Sequence, residues 1–373
     1  MASGRFDIAV VGGGIAGATA ARGASRSHSV VLLEQENELA HHTTSRSAAI
    51  YIENEGGPIF HRLSTASKDF FHDAPGSETP LLDPMGVLSV CDESNEDVMR
   101  REVEAAQTVT PSLQFVSAVE AAELCPVLRS ERITGAMYEP TAASIDVMGL
   151  HQLYVRTAIG NGAEVRRSAR VTAIRSVGGG FELNTAAGTI YANIVINAAG
   201  AWGDGVAHMA GVQPVGLSPK RRTAFTAPVE VDPTGWPFVY CGIEAHKGYF
   251  KPEAGQQLLC SLADEGDSEP CDARPLEIDI AHAIHNINEF TTLGIRSVRT
   301  TWAGLRTFAP DRNPVFGWDD AVPGFLWLVG QGGCGIVSSP VAGEIVSSLV
   351  RGEALPTSVT DLGLNEESLA PRR

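Results

Sequence analysis

The segment Gly12-Gly13-Gly14-Ile15-Ala16-Gly17 constrains this chain more than any other. It satisfies G-x-G-x-x-G between an apolar run at residues 6–11 and an alanine-rich helical stretch at residues 15–25. A second apolar run at residues 30–33 completes a strand–helix–strand opening. In that context each glycine has a task. Gly12 permits the tight turn, Gly14 lets a pyrophosphate approach the backbone, and Gly17 lets helix and strand pack closely. Ile15 and Ala16 begin a helix whose N-terminus faces the phosphates. Glu34 closes the second strand, where a carboxylate can accept hydrogen bonds from an adenosine ribose. A plain glycine turn beside a surface glutamate is the simpler alternative, and the strand-before, helix-after context disfavours it.

At 373 residues the chain exceeds what one hydrophobic core usually serves, so two interleaved domains are expected. Helical periodicity runs through residues 58–71, 96–108, 147–159, 278–290 and 336–350. Strand patterns fall at residues 87–90 and 133–138, and the alternation at 164–175 reads as one strand. Residues 181–185 and 190–196 then form a meander that returns to the nucleotide-binding sheet at Asn197. Residues 221–226, 237–241 and a hairpin around Glu253-Ala254-Gly255 predict a second, mostly antiparallel sheet. The expected fold class is α/β. A Rossmann-like cofactor domain would take residues 1–50, 140–215 and 300–373, and an interleaved α+β substrate domain on the antiparallel sheet would take 51–139 and 216–299.

A nicotinamide cofactor and FAD both satisfy the glycine motif, so other segments must decide. Thr44, Ser45, Arg46, Ser47, Ala48 and Ala49 put hydroxyls, backbone amides and a guanidinium just past the Glu34 strand, suited to a pyrophosphate and the ribityl chain of a flavin. Ala199, Gly200 and Trp202 follow the returning strand, where small residues allow close packing. Gly332, Gly333, Gly335 and Ile336 precede a helix, so backbone N–H groups and a helix dipole can face the flavin pyrimidine edge, where negative charge gathers on reduction. Each of these segments alone could be an ordinary polar or glycine-rich turn.

Taken in order, they resemble the D-amino acid oxidase superfamily of flavoenzymes, with the likeness strongest to its D-arginine dehydrogenase branch. The resemblance is carried by VVGGGIAGA, TTSRSAA at 43–49, PLL at 80–82, LHQLYVR at 150–156, NAAGAW at 197–202, SPKRR at 218–222, YFKPEAG at 249–255, TWAGLR at 301–306 and GQGGCGI at 330–336. It implies noncovalent FAD, with Val171 among the cofactor-binding positions, and hydride transfer from substrate Cα to the flavin, giving an imino acid that water hydrolyses to a 2-keto acid and ammonia. It further implies a carboxylate clamp at Arg222, Tyr249 and Arg306 and a backbone carbonyl near Gly333 for the amine. A fork of arginine donors with a tyrosine hydroxyl suits a carboxylate, although arginines at such positions more often form surface ion pairs. Departures from the arginine-specific branch fall on the side-chain pocket: Ile50, Ile52, Glu55, His246 and Cys334 replace its polar or aromatic residues. The leading expectation is a D-amino acid dehydrogenase or oxidase, passing electrons to oxygen, a quinone or another acceptor. A secondary-amine oxidase of the glycine, sarcosine or proline type and a non-catalytic flavin-binding redox partner are the alternatives.

A net charge of −16 argues against a nucleic-acid partner, which needs a basic stripe. The six cysteines are dispersed without a C-x-x-C pair, so reduced thiols are expected. His41–His42 and His282–His285 have no carboxylate or thiol at a familiar metal-ligand spacing, and no metal is expected. The first strand begins too early for a signal peptide and no apolar run is long enough to span a bilayer, so a cytoplasmic protein is expected.

Overall fold

The computed structural model describes residues 4–53, 55–108, 110–242 and 248–372. Its first sheet has a parallel core in the order Glu164–Arg166, Val30–Leu33, Gly4–Val11, Gly188–Asn197, Phe325–Val329. All four residues of Val30–Leu33 and all five of Phe325–Val329 are buried, as expected of parallel strands covered on both faces. The first half of Gly188–Asn197 also pairs with Gly180–Thr185, which pairs with Val171–Val177 in the predicted antiparallel meander.

Residues 164–175 are not one strand. Glu164–Arg166 lies beside Val30–Leu33, whereas Val171–Val177 belongs to the meander on the other side of the sheet. The chain crosses between them past the end of the Glu34 strand, with Ser168 N–H donating to the Glu36 carbonyl and Ala169 N–H to the Glu34 carbonyl, both at 2.7 Å. Alternation reports which face a side chain takes and is blind to which neighbour the backbone finds, so the break escapes the sequence pattern.

Helix Ile15–Ala24 is buried along its whole length and packs against Val147–Gly160 and Ser339–Arg351. A Cβ on Gly23 would strike the Gly343 carbonyl, so the two helices meet backbone to backbone, and Thr19 Oγ1 donates to the Ser339 carbonyl at 2.7 Å. The helix expected from residue 336 starts at Ser339. Before it, Ser338 turns back on the Cys334 carbonyl through both its N–H at 3.0 Å and its hydroxyl at 2.9 Å.

The second sheet has nine strands, mostly antiparallel, with one parallel pairing between Phe238–Tyr240 and Val87–Cys91. Helix Glu277–Phe290 covers it, burying Ala283 and Ile287 in a cluster with Phe225, Phe250 and Leu258. Thr301–Phe308 pairs along Ser218–Pro228 in this sheet, so Arg306 lies inside a strand, next to the strand that carries Arg222. Ile50–Tyr51, Ala143–Ile145 and Leu82–Pro84 form a separate three-stranded sheet. The architecture is mixed α/β with a Rossmann-like half.

Candidate active site

One cleft runs from the glycine turn to the strand carrying Arg306. At its first end Gly12, Gly14, Ile15 and Ala16 line the wall, while Gly17 sits behind it, where a Cβ would collide with the Gly12 carbonyl. The Glu34 carboxylate is buried and fixed: Oε2 accepts from Gly13 N–H at 2.7 Å and Oε1 from Glu36 N–H at 2.9 Å. Val171 completes this end together with Ala169 and Arg170 of the crossing segment. Thr44 Oγ1 accepts from Ile15 N–H at 3.0 Å, placing a hydroxyl on the first turn of the helix that points into the cleft.

Further along, Arg46, Ser47 and Ala48 line the cleft with Ala199, Gly200 and Trp202. Arg46 aims its guanidinium away from the glycine turn, at Asp272 Oδ1 (2.6 Å) and the carbonyls of Ala303 (2.9 Å) and Ala273 (3.2 Å), so it ties the loop to the second sheet. Ser45 is exposed outside the lining, and Ala49 takes a left-handed turn (φ 51°) that redirects the chain into Ile50–Tyr51. Gly332, Gly333, Gly335 and Ile336 close the far wall. Two buried polar atoms of lining residues, Gln331 Nε2 and Thr307 Oγ1, have no partner within the described residues. Leaving such atoms unsatisfied is costly, so this wall suits a ligand with a polar edge. A carboxylate beyond the second strand, a glycine turn open to the helix end and a polar far wall together fit FAD.

Arg222, Tyr249 and Arg306 converge at the end of the cleft. Tyr249 is buried and stacks on Phe238, with ring centroids 4.9 Å apart. Arg222 donates through Nε to the Asp264 carbonyl at 2.7 Å, and burial, followed by the nearby Arg306 charge, pushes its pKa below the usual arginine value. For Arg306, burial opposes the charge, but Tyr249, Glu55, Tyr240 and Cys334 outweigh it and hold the pKa above the usual value. A Cβ on Gly333 would come within 2.8 Å of Arg306 Nη1, so the guanidinium lies close over this loop. Among the described residues Arg306 has no ion-pair partner. Two guanidiniums side by side with a tyrosine hydroxyl make a site for a small carboxylate.

The pocket residues divide. Ile52 and Tyr249 share an apolar cluster with Val87 and Phe238, and Ile50 packs against it. Glu55 is half-buried and accepts from Tyr240 Oη at 3.3 Å. Cys334 turns away from the cleft, its thiol 3.8 Å from the Glu55 carbonyl, and burial pushes its pKa up to about 12. His246 lies outside the described residues. Sequence reasoning missed Tyr240, Gln331, Thr307 and the loop residues Gln35, His41 and His42. The loop spans the gap between Glu34 and Thr44, both of which were singled out, and that continuity was the available signal. The pair His41–His42, read as lacking a carboxylate, has one: Glu36 Oε1 lies 3.0 Å from His42 Nε2, and donor atoms of all three residues fall within 4.8 Å of one another. All six cysteines are unpaired.

A dinucleotide cleft of this kind on a Rossmann-like half defines an FAD-dependent oxidoreductase. The chain matches the family of FAD dependent oxidoreductases, DAO, over residues 7–349, and it belongs to that family. It is 24% identical to a glycine oxidase of Geobacillus kaustophilus (strain HTA426) over 360 residues, covering 93% of each chain. It is 22% identical to the mitochondrial sarcosine dehydrogenase of Mus musculus over 352 residues, 86% of this chain and 37% of that protein. Among solved structures, L-proline dehydrogenase from P. horikoshii superposes with a TM-score of 0.84 at 21% identity, covering 100% of this chain and 98% of the other. The expected family and the FAD cofactor therefore stand, whereas the relatives named here do not carry the likeness to D-arginine dehydrogenase.

Proposed function

We propose that this protein oxidises the Cα–N bond of glycine or of a small N-substituted amino acid of the sarcosine or proline type. The observation that carries the reading is the pairing of Arg222 and Arg306 beside Tyr249 and Gly333 at the end of an FAD cleft. The named relatives act on glycine, sarcosine and proline, and the apolar Ile50 and Ile52 suit a short or ring-closed substrate better than a guanidinium. Held by Gly12, Gly14 and Glu34 at one end and by Gly332, Gly333 and Gly335 at the other, FAD would supply a two-electron oxidation at Cα. The chain's own residues hold the carboxylate by charge, fix its direction through the fork of Arg306, and keep the rest of the substrate among apolar walls where electrostatic contacts are strong. The resulting imine leaves for hydrolysis by water.

Anaerobic mixing with glycine, sarcosine, L-proline, D-alanine and D-arginine, followed by flavin absorbance, tests the reading. Bleaching by one or more of the first three is expected. Bleaching by D-arginine alone would replace the proposal with the D-arginine reading, and bleaching by none would leave a flavin-binding protein without amine turnover.

A further inference from the structure

An amino acid meets its enzyme as a zwitterion. A site that neutralises only the carboxylate strands an ammonium in a desolvated cleft, and burying an unpaired charge is expensive. The arginine clamp therefore calls for an anion on its far side. Among the described residues Glu55 is the candidate: Tyr240, which donates to its carboxylate, packs edge-on against Tyr249 of the clamp, and Glu55 forms no ion pair with either arginine.

We propose that Glu55, braced by Tyr240, receives the substrate's amino group opposite the Arg222–Arg306 clamp. The inference rests on the amino-acid reading above and adds a charged partner for the amine to the backbone carbonyl near Gly333. Tyr240 Oη donates to Glu55 Oε2 at 3.3 Å, occupying one of the carboxylate's roughly four acceptor positions. The same phenol ring lies edge-on to Tyr249, with centroids 5.7 Å apart, so the carboxylate-binding tyrosine and the brace of the amine-binding glutamate share one aromatic wall. The Glu55 main chain is held from the opposite side. Its carbonyl lies 3.8 Å from Cys334 Sγ, and a Cβ on Gly56 would come within 3.0 Å of the same sulfur, so this turn lies close against the loop that carries Gly333. Glu55 is thus held through both its side chain and its main chain.

The test uses the FAD-loaded enzyme and two probes of nearly equal shape: α-aminoisobutyrate, which has no Cα hydrogen and cannot be oxidised, and pivalate, which carries a methyl in place of the ammonium. Binding is read from the perturbation of the flavin spectrum. Glu55→Gln should weaken α-aminoisobutyrate by about 10- to 100-fold, the range for losing a charged hydrogen-bond partner, and leave pivalate within about threefold. Tyr240→Phe should give a smaller loss in the same direction. Equal weakening of both probes, or no change in either, overturns the inference. So does a change confined to a preference for lysine over norleucine, which would assign Glu55 to the side chain. If the wild type takes up neither probe, the KM for glycine replaces the dissociation constant: a tenfold rise in Glu55→Gln supports the assignment, and an unchanged KM overturns it. Failure of the amino-acid reading looks different, because the wild-type flavin would then be bleached by no amine at all.

Discussion

Arg222 and Arg306 stand on neighbouring strands of one sheet, and the Arg306 charge adds to burial in lowering the Arg222 pKa. Glu265, 3.5 Å from Arg222, offsets part of that cost, and a substrate carboxylate would offset more. Losing a charged partner from a desolvated site costs about 2–5 kcal/mol, so Arg306→Ala should lower kcat/KM by on the order of thirtyfold to several thousandfold. FAD occupancy, read from the visible-to-ultraviolet absorbance ratio, should barely change. Arg306→Lys should recover only part of the loss, since an ammonium lacks the two-pronged fork. Near-normal kcat/KM in Arg306→Ala would remove the clamp. At the other end of the cleft, Glu34 anchors two backbone N–H groups of the surrounding turns. Glu34→Ala should weaken FAD binding by about 10- to 100-fold, measured by fluorescence titration of the apoprotein, because both the ribose acceptor and the shape of the turn are lost.

At the scale of elements, the first helix depends on contacts only glycine permits. Gly17→Ala would drive a methyl into the Gly12 carbonyl, with Leu32 close behind. Overpacking of this kind typically costs about 1–3 kcal/mol. A lower urea midpoint together with poor FAD retention is the expected result, and a variant that keeps both would show that helix and strand can separate without harm. A second prediction belongs to the end of strand Val315–Trp318. Asp319 accepts from Trp327 Nε1 (3.1 Å), Arg372 Nη2 (2.8 Å) and the N–H groups of Ala321 (3.0 Å) and Val322 (3.1 Å). Burial alone would raise its pKa, but these donors prevail and hold it below the usual carboxylate value. A depressed folded pKa adds stability at neutral pH that is lost as pH falls through that folded value. Asp319→Ala should cost about 3 kcal/mol by urea unfolding at pH 7, and less in strong acid. An equal loss at both pH values would assign the effect to packing instead of charge.

For the molecule as a whole, the cleft draws lining residues from Val11 to Ile336 and from both large sheets, so FAD ties distant parts of the chain together. A ligand at a hundred times its Kd stabilises the folded state by about 2.7 kcal/mol. Removing FAD should therefore lower the Tm, and titrating it back should restore the Tm in step with occupancy. Because Cys334 is buried and turned from the cleft, acid precipitation should release the yellow colour into the supernatant. Colour kept in the pellet would reject noncovalent binding. Among the described residues no helix is long and apolar enough to cross a membrane.

The nucleotide half was legible from sequence because its determinants are local. The glycine turn, the helix it opens and Glu34 lie within a few dozen residues, and spacing along the chain fixes their geometry. Arg222, Tyr249 and Arg306 were reached through family likeness carried by short motifs, since nothing local distinguishes a clamp arginine from a surface one. Tertiary structure alone decided what depends on remote partners. The strand pattern at 164–175 divides because Glu34 and Glu36 supply carbonyls to the crossing segment. Arg46 pairs with Asp272, 226 residues away. Glu55 meets Tyr240 across 185 residues. In each case the side chain had more than one reasonable partner, and the choice was made by which backbone the two sheets brought within hydrogen-bonding distance, a quantity that composition, periodicity and motif spacing do not encode.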